Sequence, residues 1–510
     1  MNRTTSARPA APAAPAAPAA RNAFGARLVT PLMLGSVLNP INSTMIATTL
    51  VPIGHTFHAG AAQTAWLVSS LYLASAVAQP MMGRLADRLG ARRVFLAGLL
   101  IVAAGGAVGT AAPALSWLIA SRVLLGIGTS AAYPAAMALL RSHSERLGVP
   151  TPRPVLGLLS LAGMSSAAVG PVLGGVLAAT LGWRAVFAVN VPLALAGFVL
   201  AALWLPGGGD RTATPSPYAT ATTSATATGG TTPRDRTPYT AGPTAASPNA
   251  ASPSGKVPAR SLDPLGITLF AALLTALMLF LMRLDAPLWP LLAVVAVLGA
   301  ALARWELRRT SPFLDLRMLA RNRALLITYL RHGLTFLVIY SLLYGYAQWL
   351  EEGRGFSSAD TGLLLLPMSI AAMVTSPLAS RTKGIRAPLI LSAGLLVAGS
   401  GVLLVAGDTT PAFALAAAGV LFGLPQGLSS TGNQAAVYAQ APADETGSAA
   451  GLQRSAQYLG AITAASLIGL FYGQHATDAG LHAIALTATV LSLAILLLTV
   501  LDRSLRTVRG

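Results

Sequence analysis

Four ionisable side chains stand inside long apolar runs of this sequence: Arg122, Arg331, His332 and Arg454. On neighbouring runs are Asn39, Asn42, Gln79, Gln426 and Gln457, with the tyrosines Tyr72, Tyr340, Tyr344 and Tyr458. Guanidinium groups donate to anions and carbonyls, amides hydrogen-bond in either sense, and phenols stack and donate. This inventory suits a mixed cavity that binds a small molecule, although each residue singly is as well suited to gluing helices together. His332 alone among them titrates near neutral pH, so it is a candidate proton carrier beside the more common structural role. The chain has no cysteine, which excludes a disulfide framework, a thiolate metal site and a cysteine nucleophile. No catalytic residue, metal or cofactor is expected.

Arginine deep in an apolar run costs about 2.5–3.5 kcal/mol to insert in a bilayer, so it should face the protein interior or water. The runs that must carry these residues dominate the composition. Of 510 residues, 54% are hydrophobic and 10% charged, with a mean hydropathy of +0.65. Soluble proteins carry roughly 25% charged residues, so a soluble enzyme is nearly excluded. Apolar segments of about 20 residues, the length of a membrane-crossing helix, lie near 28–50, 64–82, 94–112, 115–140, 155–180, 185–205, 264–283, 287–304, 324–349, 360–379, 388–406, 411–432, 447–472 and 481–500. The spacing predicts fourteen spans and an all-α polytopic membrane protein.

The expected organisation follows from these spans. Residues 1–25 form a disordered Ala/Pro-rich tail and 26–205 a first six-helix bundle. Residues 206–262, rich in Thr, Ala, Pro, Ser and Gly, form a disordered linker too poor in apolar side chains to offset ordering entropy. Two additional helices (263–304), a basic connector (305–323), a second six-helix bundle (324–501) and a tail (502–510) complete the chain.

The formal net charge is +18, which in a soluble domain would suggest nucleic acid. With the N-terminus placed in the cytoplasm, 28 of the 34 Lys and Arg fall in cytoplasmic segments, three in outer loops and three within spans. That asymmetry sets the orientation, with both termini cytoplasmic in a multi-pass cell-membrane protein. It also assigns the basic charge to anionic lipid headgroups and leaves nucleic acid out. The same placement puts ten of the 16 acids in cytoplasmic segments and six on the outer side, with Glu351, Glu352 and Asp360 among the latter. No carboxylate is then expected within a span.

Four motifs carry a resemblance. After the second span comes Gly83-Arg84-Leu85-Ala86-Asp87-Arg88-Leu89-Gly90-Ala91-Arg92-Arg93. It resembles the signature loop of the major facilitator superfamily. Gly83 and Gly90 would permit tight turns, and Asp87 would pair with Arg88, Arg92 or Arg93 or cap a helix. The resemblance implies a conformational latch. Leu118-Ile119-Ala120-Ser121-Arg122-Val123-Leu124-Leu125-Gly126 is similar to that superfamily's span-four motif, with Leu125 at the usual glutamine, and implies that Arg122 takes part in proton coupling. Gly170-Pro171-Val172-Leu173-Gly174-Gly175 is similar to the antiporter motif of its exporters. Trp183-Arg184-Ala185-Val186-Phe187-Ala188-Val189-Asn190-Val191-Pro192 resembles a stretch of its fourteen-span drug/proton antiporters, of the EmrB and QacA type. Leu262–Gly266, Trp305-Glu306, Pro312–Arg317 and Gly362–Pro367 agree with that type. The fold implied is two six-helix bundles with two extra helices between them. One position departs: where those antiporters usually have an aspartate in span one, this chain has Asn42, which cannot titrate.

These observations point to export of small amphipathic organic compounds by alternating access. The resemblance implies proton exchange as the driver. No G-x-x-x-x-G-K-S/T loop is present for ATP. An alternative is a dedicated exporter of an anionic or neutral self-made metabolite, coupled in a non-standard way. A lesser one is a membrane sensor or scaffold. The expected partners are the substrate, protons and the bilayer; nothing in the sequence speaks to an accessory protein.

Overall fold

The computed structural model describes residues 24–147, 153–206, 263–284, 286–309, 316–382, 384–441 and 446–506. The expectations for the tail before Phe24 and for the linker after Pro206 lie outside these residues. The described helices belong to one compact unit.

The first half holds α1 (Ala26–Met45), α2 (Leu50–Phe57), α3 (Ala61–Leu89), α4 (Ala91–Thr110), α5 (Leu115–Leu147), α6 (Arg153–Leu181), α7 (Arg184–Ala188) and α8 (Asn190–Trp204). Between the halves come α9 (Pro264–Leu281) and α10 (Trp289–Glu306), then the short α11 (Leu316–Arg321). The second half holds α12 (Arg323–Gln348), α13 (Ser358–Ser380), α14 (Arg386–Leu403), α15 (Ala412–Gln440), α16 (Thr446–Tyr472) and α17 (Asp478–Leu501).

Helices thus form at each apolar run. Eleven of the described stretches are long and apolar enough to cross a membrane. In α6, Ser165–Leu181 is the apolar stretch among the residues whose side chains are described, and α1 and α16 do not reach that apolarity. The cause is visible in their side chains. Ser36, Asn39, Ser43 and Thr44 on α1, and Gln453, Arg454 and Gln457 on α16, line the central cavity described below.

Local chemistry sets several helix ends. Asp263 caps α9 by accepting from the Gly266 amide at 3.0 Å, with Pro264 in the first turn. The Trp305 indole donates to both Asp263 oxygens at 2.9 and 3.0 Å, tying α10 to α9. The Trp183–Pro192 stretch acts in the same way. The Trp183 indole donates to Thr56 at 3.0 Å, the Phe187 ring fills the space beside Gly109, and Asn190 meets Asn42.

Within the halves, α4 and α3 pack on α5, α1 on α6, α13 on α15, α12 on α16, and α14 on α17. The halves meet where α6 packs on α13 and α3 on α16. Helix α9 lies against α3 and α16, where the Met282 sulfur beyond its C-terminus accepts from Ser69 at 3.3 Å and Ser466 at 3.4 Å. We call the end where α1 starts and α17 finishes the near end, and its opposite the far end. The far end is tightly joined. The Ala62 amide donates to the Gly473 carbonyl at 3.1 Å, and Gly60 leaves no room between its backbone and Gln474.

The signature at 83–93 differs from expectation. It is not a loop: α3 continues through Leu89, and a single residue, Gly90 at φ 93°, turns the chain into α4. Gly83 sits inside the helix facing Pro134. Asp87 and Arg88 are exposed in the last turn, and neither makes an ion pair with a described residue. Asp87 caps no helix, because Gly90 supplies the whole turn through its backbone. Arg92 instead donates to the Ala202 carbonyl at 2.7 Å, and Arg93 is exposed.

Candidate functional site

A cavity of about 250 Å³ lies between the halves. Its lining comes from α1, α3, α5 and α6 on one side and α12, α13, α15 and α16 on the other. Towards the near end its lining residues Tyr133, Gln434 and Arg454 are exposed, while Ser43 and Tyr72 on the far side are buried. The cavity is therefore reached from the near end.

Its roof is a layer of tyrosines that bridges the halves. Tyr344 donates to the Ser43 carbonyl at 2.6 Å and shares a 2.8 Å hydrogen bond with Tyr72. Tyr458 donates to Gln79 Oε1 at 2.6 Å, and Gln457 donates to the Tyr340 hydroxyl at 3.0 Å. The rings are in contact. Tyr72 lies 5.3 Å from Tyr340 and 5.6 Å from Tyr458, and Tyr340 5.7 Å from Tyr344. Four-residue spacing on α12 puts His332, Phe336, Tyr340 and Tyr344 on one stripe, with His332–Phe336 centroids 4.7 Å apart.

The sequence candidates divide into two groups. Asn39, Gln79, His332, Tyr340, Gln426, Arg454 and Gln457 line the cavity. Asn39 donates to Thr129 at 2.9 Å, and His332 Nδ1 is buried without a hydrogen-bond partner. Arg122, Asn42, Tyr344 and Arg331 do not line it. Arg122 is 1% exposed; its Nε donates to the Leu67 carbonyl at 2.9 Å and its Nη1 to the Asn42 carbonyl at 3.0 Å. It fastens α5 to α3 and α1, as a packing arginine does. The Asn42 amide donates to Asn190 Oδ1 at 2.5 Å and so joins α1 to α8. Arg331 departs most from the reading as a cavity residue. Its Nη1 meets Asp502 Oδ2 at 3.0 Å, with both side chains at most 2% exposed, and its Nε donates to Asn433 at 2.8 Å.

Acids also lie deeper than their sequence positions suggested. Asp263, Glu306, Glu351 and Asp502 are buried. Glu351 stands on a wide π-turn, Trp349–Gly353, that prolongs α12, and its Oε1 has no hydrogen-bond partner. Burial is possible because the π-turn keeps the chain helical past the expected end of the span.

The antiporter-like motif builds the seam of α6. Gly170 and Gly174 face Thr44 and Met45 on α1 so closely that a Cβ has no space. Gly175 faces the Ser358 carbonyl at the start of α13 with the same consequence. The Pro171 carbonyl accepts from Thr48 at 3.2 Å and abuts Gly362, and the proline removes the donor that Ala167 would otherwise accept from, beside the cavity.

Several lining residues were missed in the sequence: Ser36, Ser43, Thr44, Thr129, Ser130, Tyr133, Phe336, Ser369, Ser430, Gln434 and Gln453. A signal existed. Gln426, Ser430 and Gln434 recur every four residues on α15, as do Thr129 and Tyr133 on α5, so one polar face runs along each helix.

Residues 32–465 match the family profile described as Major Facilitator Superfamily. The chain is 30% identical over 463 residues to the uncharacterized MFS-type transporter YwoD of Bacillus subtilis, covering 89% of this chain and 92% of that protein. It is 27% identical to the tetracenomycin C resistance and export protein of Streptomyces glaucescens (87% and 75% covered). It is 25% identical to the multidrug efflux pump LfrA of Mycolicibacterium smegmatis (86% and 79% covered). In fold it matches a crystal structure of the nucleoside transporter NupG with a TM-score of 0.60 at 12% identity, covering 92% of this chain and 99% of that one.

Proposed function

The chain belongs to the Major Facilitator Superfamily and is a multi-pass membrane transporter rather than an enzyme, and from that premise we propose that it exports small amphipathic organic compounds by proton antiport. The observation that carries this reading is the cavity between two helical halves, accessible from the near end and roofed at the far side by cross-half tyrosine hydrogen bonds. Such a site serves alternating access: the halves rock, the roof parts, and the near end closes. The glycine seam of α6 and the names of the export protein and efflux pump above support export over uptake.

In this reading the chain is of the fourteen-span drug/proton antiporter type. Helices α1, α6 and α16 span the membrane with the other eleven stretches, and both termini lie in the cytoplasm, so the near end faces inward. The signature from Gly83 to Arg93 works as the latch, with Asp87 taking partners in another conformation. Asn42 cannot carry the proton. His332, lining the cavity, and Glu351, buried near the far seam, each have a buried titratable atom without a partner, and they are the groups we assign to proton uptake. The reading of Asn42 also leaves room for the dedicated metabolite exporter with its own coupling.

Inverted vesicles with an imposed pH gradient test the proposal. Adding a transported compound should dissipate the gradient, and His332→Gln or Glu351→Gln should lower that proton flux at least tenfold while substrate still binds. Substrate movement with no proton flux at any pH would refute proton antiport.

A further inference from the structure

We propose that the cavity selects planar aromatic molecules carrying one acidic group, with Arg454 as the anion contact. This rests on the cavity being the transport site. The first observation is charge. Among the described residues, no Asp or Glu lines the cavity, and Arg454 is the only permanently charged one that does. Arg454 makes no hydrogen bond or ion pair with a described residue, yet it lies close enough to Tyr133, His332, Tyr340 and Tyr458 to act on each electrostatically. Guanidinium binds carboxylate or enolate through paired, charge-assisted hydrogen bonds. A cationic ligand would give up water here and meet a like charge with no acid among the described lining residues to offset it.

The second observation is shape. Tyr72, Tyr340, Tyr458, Phe336 and His332 present a continuous aromatic wall, with Phe336–Tyr340 centroids 5.5 Å apart. Aromatic walls favour flat ligands through offset and edge-on ring contacts. The volume of about 250 Å³ lies just below the usual range of small-molecule sites, roughly 300–1,000 Å³, which suits a small, flat ligand. A third observation is polar capacity. Gln426, Gln434 and Gln453 line the cavity with no side-chain partner among described residues, and His332 Nδ1 is unpartnered. These groups match carbonyl and hydroxyl substituents at the ring edges.

The test is competition binding to the full chain in nanodiscs, with no gradient applied. The probe is a fluorescent hydroxynaphthoate; the competitors are its methyl ester, a naphthylmethyl trimethylammonium and cyclohexanecarboxylate. Hydroxynaphthoate should outcompete the ester and cyclohexanecarboxylate by about tenfold each, the worth of one charged hydrogen bond or one ring stack. The ammonium should not compete. Arg454→Gln should erase the advantage over the ester while ester binding persists, Arg454→Lys should retain part of it, and Arg454→Glu should make the ammonium the better ligand. Ammonium competing as well as hydroxynaphthoate, or an unchanged acid-to-ester ratio in Arg454→Gln, would overturn the proposal. Because the measurement is binding alone, it stands or falls separately from the flux assay for export.

Discussion

Arg122 and Arg331 are both arginines buried in apolar helices, yet they do different work. Arg122 donates to two carbonyls that belong to other helices and makes no ion pair with a described residue. Replacing it by glutamine, which is shorter and offers fewer donors, should loosen α5 from α1 and α3. The expected result is a lower melting temperature in detergent, with about 1.5–3 kcal/mol lost for each hydrogen bond from the charged group that is not replaced, together with reduced transport. Arg331 is held by Asp502. Asp502→Asn leaves a buried guanidinium without its counter-charge and should cost about 3–5 kcal/mol. Replacing both Arg331 and Asp502 by similar-sized apolar residues should recover most of that loss, and thermal unfolding of the single and double variants measures the difference. The sequence placed both arginines within spans, facing the protein interior or water. Their partners were not legible, since Asp502 lies 171 positions from Arg331, and only folding brings such positions together.

At the scale of helices, small residues decide how closely elements approach. Gly170 and Gly174 let α6 lie against α1, and Gly175 lets it lie against α13. The two contacts differ in consequence, because the first is within one half and the second is between halves. Gly175→Val should wedge α13 away from α6 and favour the far-open state. A single cysteine at Ala359 should then label faster with a membrane-impermeant maleimide, while the fold is retained. Gly170→Leu should instead destabilise the first half and lower expression. The motif was visible in the sequence as closely spaced glycines, but which glycine served which neighbour was not. The extra pair is fixed more simply: Asp263→Ala removes a cap worth about 1 kcal/mol and frees the Trp305 indole that ties α10 to α9. The polar faces of α1 and α16 explain why these helices are the less apolar ones. A helix that lines a wet cavity needs fewer hydrocarbon side chains.

For the whole molecule, alternating access requires the far-end contacts to break in every cycle. Gly469 packs on Ala62 across the halves, and a Cβ at Gly469 would stand 3.5 Å from the Ala62 Cβ, inside the disulfide range of about 3.5–4.5 Å. The natural chain has no cysteine, so Ala62→Cys with Gly469→Cys gives one defined pair. Oxidation should halt transport with the near end open, a reducing agent should restore it, and each single variant should transport normally. Transport that continues with the bond formed would mean the halves do not part there.

The sequence by itself determined the class of the protein. Hydropathy and charge placement depend only on local composition, and a bilayer accepts nothing but helices from such runs. Its motifs likewise marked the glycines and aromatics that folding would use. The tertiary structure alone decided which polar residues face the cavity. It took Arg122, Asn42 and Arg331 out of it, pairing Arg331 with Asp502, and brought Phe336, Gln434 and Gln453 in. That outcome depends on helix rotation and on neighbours far apart in the chain. A polar side chain in an apolar run must be satisfied somewhere, but the sequence does not say whether a carbonyl, a distant carboxylate or a ligand satisfies it.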